Sequence, residues 1–186
     1  PTGWVILDEA YAEFAAPSLL PDGKDAIASG RRVVVVRTFS KAYGLAGARL
    51  GYAIASPEMI RVIDTVAEPF NANRIGVEGA RATLAEDEAE LTDAISAILA
   101  ERRRLESELL PLGCGVVPTQ TNFLFFALPE TVSLDGRAVA EALLKRGVIV
   151  RSAGGWGFPR HLRVTVGRPE ENEFFLEQFK EIVTNG

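Results

Sequence analysis

A mostly parallel α/β layer joined by a long helix to a smaller α+β unit is the fold class that the sequence predicts. Three observations predict it. Val33 to Val36 is an unbroken β-branched run, the pattern of a strand buried on both faces, as in parallel sheets covered by helices. Between Glu86 and Gly113, Leu91, Ile95, Ile98, Leu105, Leu109 and Leu112 recur in steps of four and three, interrupted only at Arg102, which is the stripe of an amphipathic helix. After Gly115, short strand-like runs alternate with two helical patterns, as expected of a separate α+β layer.

The elements follow in order. Trp4 to Leu7 is a short apolar strand ending in the carboxylate of Asp8, and Leu50 to Ala55 is a further strand after the β-branched run. Ser56 caps a helix that has Pro57 in its first turn and Ile60, Ile63 and Val66 as its apolar stripe, and Pro69 stops it. The helix that begins at Glu86 and ends before Gly113 spans on the order of 40 Å at about 1.5 Å per residue, long enough to link two domains. Asn122 to Ala127, Val148 to Arg151 and Leu162 to Val166 read as strands. The helix Gly136 to Arg146, opened by Asp135 and closed by Gly147, lies between the first two. Pro169 and Glu170 start a last helix whose Phe175, Phe179 and Ile182 point inward. The domain boundaries expected from this are 1–85, 86–113 for the helix, and 114–186.

Composition narrows the function. At 186 residues, 47% hydrophobic and 24% charged, the chain has the make-up of a soluble globular protein. A net charge of −5 argues against a nucleic-acid surface, which needs clustered Lys and Arg. The densest basic run, Arg102 to Arg104, is flanked by Glu101 and Glu106 and reads as a solvated helix face. Cys114 is the single cysteine, which excludes an intrachain disulfide and suits a reducing compartment. No apolar run approaches membrane-spanning length and no secretory signal opens the chain, so a cytoplasmic protein is expected.

The chemistry concentrates at strand ends. Asp8 follows the first strand and Lys41 the second, and in open α/β sheets ligands gather outside the carboxyl ends of parallel strands. Small residues and glycines then lead from Lys41 to Arg49, so a reactive amine stands near an anion cradle. Alone, Lys41 reads as a solvated loop residue, Asp8 as a turn cap and Tyr11 as a core aromatic. Together, an acid, an amine, a phenol and a guanidinium match a pyridoxal 5′-phosphate site. Lys41 is the amine that condenses with the cofactor aldehyde, Asp8 keeps the pyridine nitrogen protonated, and Tyr11 bonds the phenolic oxygen. Arg49 holds the phosphate with Ser40 and Thr38. No metal is called for.

The strings Val5-Ile-Leu-Asp8-Glu-Ala-Tyr11 and Thr38-Phe-Ser-Lys41-Ala-Tyr-Gly-Leu-Ala-Gly-Ala-Arg49-Leu-Gly-Tyr52 resemble those of fold-type I aminotransferases, in particular histidinol-phosphate aminotransferases. Pro69-Phe70-Asn71-Ala72-Asn73, Thr121-Asn-Phe-Leu124 and Leu162-Arg163-Val-Thr-Val-Gly167 resemble further family segments, in family order. The resemblance implies that the chain is the carboxyl-terminal part of such an enzyme, the large cofactor domain followed by the small one. An amino-terminal half would then carry the first strands, and this part would not catalyse alone. It implies transfer of an amino group between histidinol phosphate and 2-oxoglutarate, Arg151 and Arg163 as substrate-anion arginines, and a homodimer. The alternatives are an aromatic amino acid aminotransferase, a threonine-phosphate decarboxylase, or a non-catalytic folding or dimerisation module. His161 is assigned no role.

Overall fold

Two apolar strands lie side by side and point the same way. In the computed structural model, which describes residues 3–85 and 88–185, β1 (Val5–Asp8) runs parallel to β2 (Val33–Thr38), with Val5 opposite Val33 and Asp8 opposite Val36. The connection between them carries α1 (Gly23–Ala28), opened by Asp22, whose carboxylate accepts the Asp25 N–H at 2.9 Å. Gly23 packs so closely on Val35 and Leu7 that a side chain there has no room. The third strand, β3 (Gly51–Ile54), joins the other edge of β2 in the antiparallel sense, giving the order β1-β2-β3 with one parallel and one antiparallel pairing.

Helix α2 (Pro57–Val66) starts as expected, with the Ser56 hydroxyl accepting the Met59 N–H. Helix α3 (Arg74–Ala85) was not legible in advance: Gly76 and Gly79 lower its intrinsic helix propensity by roughly 1 kcal/mol each, and tertiary contact supplies what they withhold. These residues belong to a first compact unit, Pro1–Ile95, whose buried apolar residues include Phe14, Val33, Val34, Val35, Phe39 and Ala80.

The expected start of the long helix at Glu86 lies outside the described residues; α4 is seen from Glu88 to Leu109. A tighter turn, Leu110–Leu112, follows because Pro111 has no N–H for the α ladder, and Gly113 closes it at φ 84°. The second unit, Ser96–Gly186, holds the four-stranded antiparallel sheet β4-β5-β7-β6, from β4 (Gly115–Val117), β5 (Phe123–Ala127), β6 (Arg151–Ser152) and β7 (His161–Thr165). Leu124, Phe126, Leu162 and Val164 face a core built with Leu105, Leu109 and side chains of α5 (Gly136–Lys145) and α6 (Pro169–Asn185), among them Val139, Leu143 and Phe179. Each such side chain contributes about 1.5–3 kcal/mol by leaving water.

Two expectations change. The strand foreseen at Val148 to Arg151 pairs only at Arg151 and Ser152, because the Val148 N–H turns back to the Leu143 carbonyl to close α5. The basic run is not a solvated face throughout. Arg102 donates to the Thr121 carbonyl at 2.8 Å, and Arg104 binds Glu101, Glu173 and the Pro169 carbonyl. Glu101 also accepts from Asn172, itself buried, at 2.7 Å.

The Arg104 and Asn172 hydrogen bonds hold the Glu101 carboxyl below its ordinary range. A depressed folded pKa gives stability that is complete above the unfolded value of about 4.3 and lost as pH falls through the folded one. Urea unfolding between pH 5 and pH 3 should therefore show a smaller loss of stability for Glu101→Gln than for the unmodified protein.

Candidate active site

The carboxyl ends of β1 and β2 carry the predicted residues. Asp8 ends β1, and its Oδ1 accepts the Ala10 N–H at 3.1 Å, which fixes the side chain by a local turn. Glu9 follows, with its N–H on the Val36 carbonyl at 2.9 Å and its carboxylate buried against Arg37 of β2, at 2.9 Å from Nε and 2.8 Å from Nη2. Burial works against the Arg37 charge, but the Glu9 hydrogen bond and charge outweigh it and raise the guanidinium pKa. This ion pair ties the two strands together at the end where Asp8 and Lys41 emerge.

Lys41 is exposed, and its Nζ lies 5.4 Å from the centre of the Tyr11 ring, so the exit loops of the two parallel strands meet through these side chains. Between Ser40 and Leu50 the chain folds back on itself. The Phe39 N–H binds the Leu50 carbonyl at 3.1 Å, the Leu45 N–H binds the Phe39 carbonyl at 3.0 Å, and Gly44 takes φ 68°. Because Thr38 pairs with Gly51, this return brings Arg49 to the sheet end that holds Lys41. Thr38 Oγ1 donates to the Leu50 carbonyl at 3.2 Å and accepts the Ser40 N–H at 3.0 Å. Its proton is thus already engaged, and its direct effect is to set Ser40. Among the described residues no carboxylate pairs with Lys41 or Arg49.

Arg49 has a left-handed backbone at φ 53°, unusual outside glycine. The holder of this turn was missed in the sequence. Asn73 donates from Nδ2 to the Ala48 carbonyl at 2.8 Å and accepts the Gly76 N–H at 2.7 Å, so one side chain caps α3 and clasps the loop before Arg49. Gly76 suits the close approach, since a Cβ would stand 3.0 Å from Asn73 Nδ2 and 3.1 Å from the Ala48 carbonyl oxygen, tighter than ordinary contact. Asn followed three residues later by a helical glycine was the available signal. Asn71, in the same predicted segment, is exposed.

The second unit presents the other predicted pair. Arg151 and Arg163 stand directly opposite each other on β6 and β7, Arg163 lies 5.1 Å from the Phe123 ring, and both approach Trp156. His161 packs as an aromatic, stacked on Phe125 at 5.0 Å and edge-on to Phe158 at 5.3 Å.

A family model, Aminotransferase class I and II, matches residues 2–179. The chain belongs to this family. Histidinol-phosphate aminotransferase 2 of Pseudomonas fluorescens (strain Pf0-1) is 40% identical over 182 residues, covering 98% of this chain and 48% of that protein. Histidinol-phosphate aminotransferase of Anaeromyxobacter sp. (strain Fw109-5) is 44% identical over 169 residues, covering 91% and 45%. Among solved structures, histidinol-phosphate aminotransferase from Sinorhizobium meliloti in complex with pyridoxal-5′-phosphate superposes with a TM-score of 0.88 at 32% identity, covering 99% of this chain and 50% of that one. The chain thus spans about half the length of these relatives, and within the aminotransferase family the site motifs fall inside the matched range.

The Asn73 clasp can be divided by mutation. Asn73→Ala should cost about 1–2 kcal/mol in urea unfolding and speed amide exchange at Ala46 to Arg49. Asn73→Asp keeps the acceptor for Gly76 but not the donor to Ala48, so it should recover the stability and not the loop protection.

Proposed function

We propose that the polypeptide carrying this chain is a pyridoxal-phosphate-dependent aminotransferase acting on histidinol phosphate, with 2-oxoglutarate as amino acceptor, in histidine biosynthesis. The observation that carries this reading is the convergence of Asp8, Tyr11 and Lys41 at the carboxyl ends of two parallel strands, with Lys41 Nζ 5.4 Å from the Tyr11 ring. The residues fit the cofactor chemically: an acid for a ring nitrogen, an amine for an aldehyde, and an Arg49 cradle without a carboxylate partner among the described residues for a phosphate.

When bound, pyridoxal phosphate supplies an aldehyde for amine exchange and a cationic ring that takes up the electron pair left on the substrate carbon. Asp8 accepts the ring N–H and keeps that proton in place. Tyr11 donates its hydroxyl to the phenolic oxygen. Lys41 would hold the cofactor through Nζ, and its amine would take the proton from the substrate carbon that bears the nitrogen. Arg49 and Ser40 hold the phosphate, with Thr38 setting Ser40 through its accepted N–H. Arg151 and Arg163 bind the substrate phosphate, for which the flat guanidinium fork is suited.

The reading includes a cytoplasmic homodimer. Val62, Val66, Phe70, Ile75 and Leu84 are exposed on the first unit and call for cover from the rest of the polypeptide or from a second copy. Among the described residues no helix is long and apolar enough to cross a membrane.

In the intact polypeptide, Asp8→Ala should slow turnover about a hundredfold or more. Borohydride reduction followed by peptide mapping should fix the cofactor on Lys41, and normal turnover in Asp8→Ala or a label elsewhere would sink the site assignment. With 2-oxoglutarate as acceptor, kcat/KM for histidinol phosphate should exceed that for phenylalanine by about a hundredfold or more. A preference for phenylalanine would give the enzyme to aromatic amino acids instead.

A further inference from the structure

Arg151 and Arg163 pose an electrostatic problem. They are directly opposed on adjacent antiparallel strands, where like charges repel across a short distance. Among the described residues neither has a carboxylate partner. What they share is an aromatic ring: the guanidinium carbon of Arg151 lies 4.9 Å and that of Arg163 5.8 Å from the centre of the Trp156 indole. Both distances fall inside the range of about 6 Å in which a cation is drawn to an aromatic face.

The loop is built to present this ring. Trp156 closes the turn Gly154–Trp156, its N–H bonds the Ala153 carbonyl at 2.9 Å, and Gly157 follows at φ 87°. Its sequence neighbours Gly154, Gly155 and Gly157 have no side chains, so the indole is the one large group of the segment. Trp156 remains 49% exposed, which rules out core packing as the reason for its placement.

We infer that Trp156 is a positioning residue that gathers Arg151 and Arg163 into one receptor for a phosphate-monoester dianion. The inference rests on the reading of these two arginines as the substrate-anion pair. An aromatic face engages the flat side of a guanidinium and leaves its in-plane N–H groups for oxygen atoms. Without the ring, repulsion and side-chain freedom disperse the pair, and the anion must reassemble it on binding.

The test uses the intact, cofactor-loaded polypeptide, so that the cofactor's own phosphate site is filled, and measures inorganic phosphate binding by calorimetry. Trp156→Leu and Trp156→Gln should each weaken phosphate about tenfold, while Trp156→Phe stays within about threefold of the unmodified protein. Unchanged affinity in the leucine and glutamine variants, or a phenylalanine variant as weak as leucine, overturns the role of the ring. Arg151→Met and Arg163→Met report separately: if neither weakens phosphate, the arginine reading itself fails. Should the leucine and glutamine variants misfold, phosphate must still shift the emission component removed by Trp156→Phe, and the absence of that shift also overturns the proposal.

Discussion

Everything in the first unit's site depends on the parallel pairing of β1 with β2 and on the Glu9–Arg37 ion pair that closes it. Parallel alignment is what sends both strands out of the sheet at one end, so that Asp8 and Lys41 emerge together although 33 positions separate their numbers. The ion pair holds that end. Removing one member of a buried pair costs about 3–5 kcal/mol, and the partial exposure of Arg37 places this one toward the lower figure. The Nε hydrogen bond and the Nη2 contact both meet Oε2 of a carboxylate that would otherwise be stranded beside the sheet.

The loop around Arg49 uses a different device. A left-handed residue that is not glycine is strained by about 1–3 kcal/mol and persists only where neighbours over-determine it. Around Arg49 they do: Thr38 and Phe39 hold the far side of the loop through Leu50, and Asn73 holds the near side through Ala48. The arginine's own Nη1 returns to the Ala46 carbonyl at 3.1 Å. Strain at this position is therefore balanced by hydrogen bonds from two other segments and from the arginine itself.

The second unit divides its strand side chains by sheet face. Along β7, Leu162 and Val164 turn into the core, while His161 and Arg163 lie on the other face with Phe123 and Phe125 of β5. The period of two in a strand makes this division automatic, because adjacent residues cannot share a face. Arg104 and Asn172 tie the helix α4 to the start of α6, through the Pro169 carbonyl and the Glu101 carboxylate.

The sequence by itself determined the pieces whose signals are local. β-Branched runs marked β2, Ser56-Pro57 marked α2, and Asp135 and Gly147 bounded α5. These rest on backbone propensity, capping and the spacing of side chains along one segment. Only the tertiary structure decided that Asn73 would clasp a loop 25 positions earlier and that Arg102 and Arg104 would be anchored to Thr121 and Glu173. Those relations join distant segments, and nothing in the neighbouring residues encodes which distant partner a polar or aromatic side chain will meet.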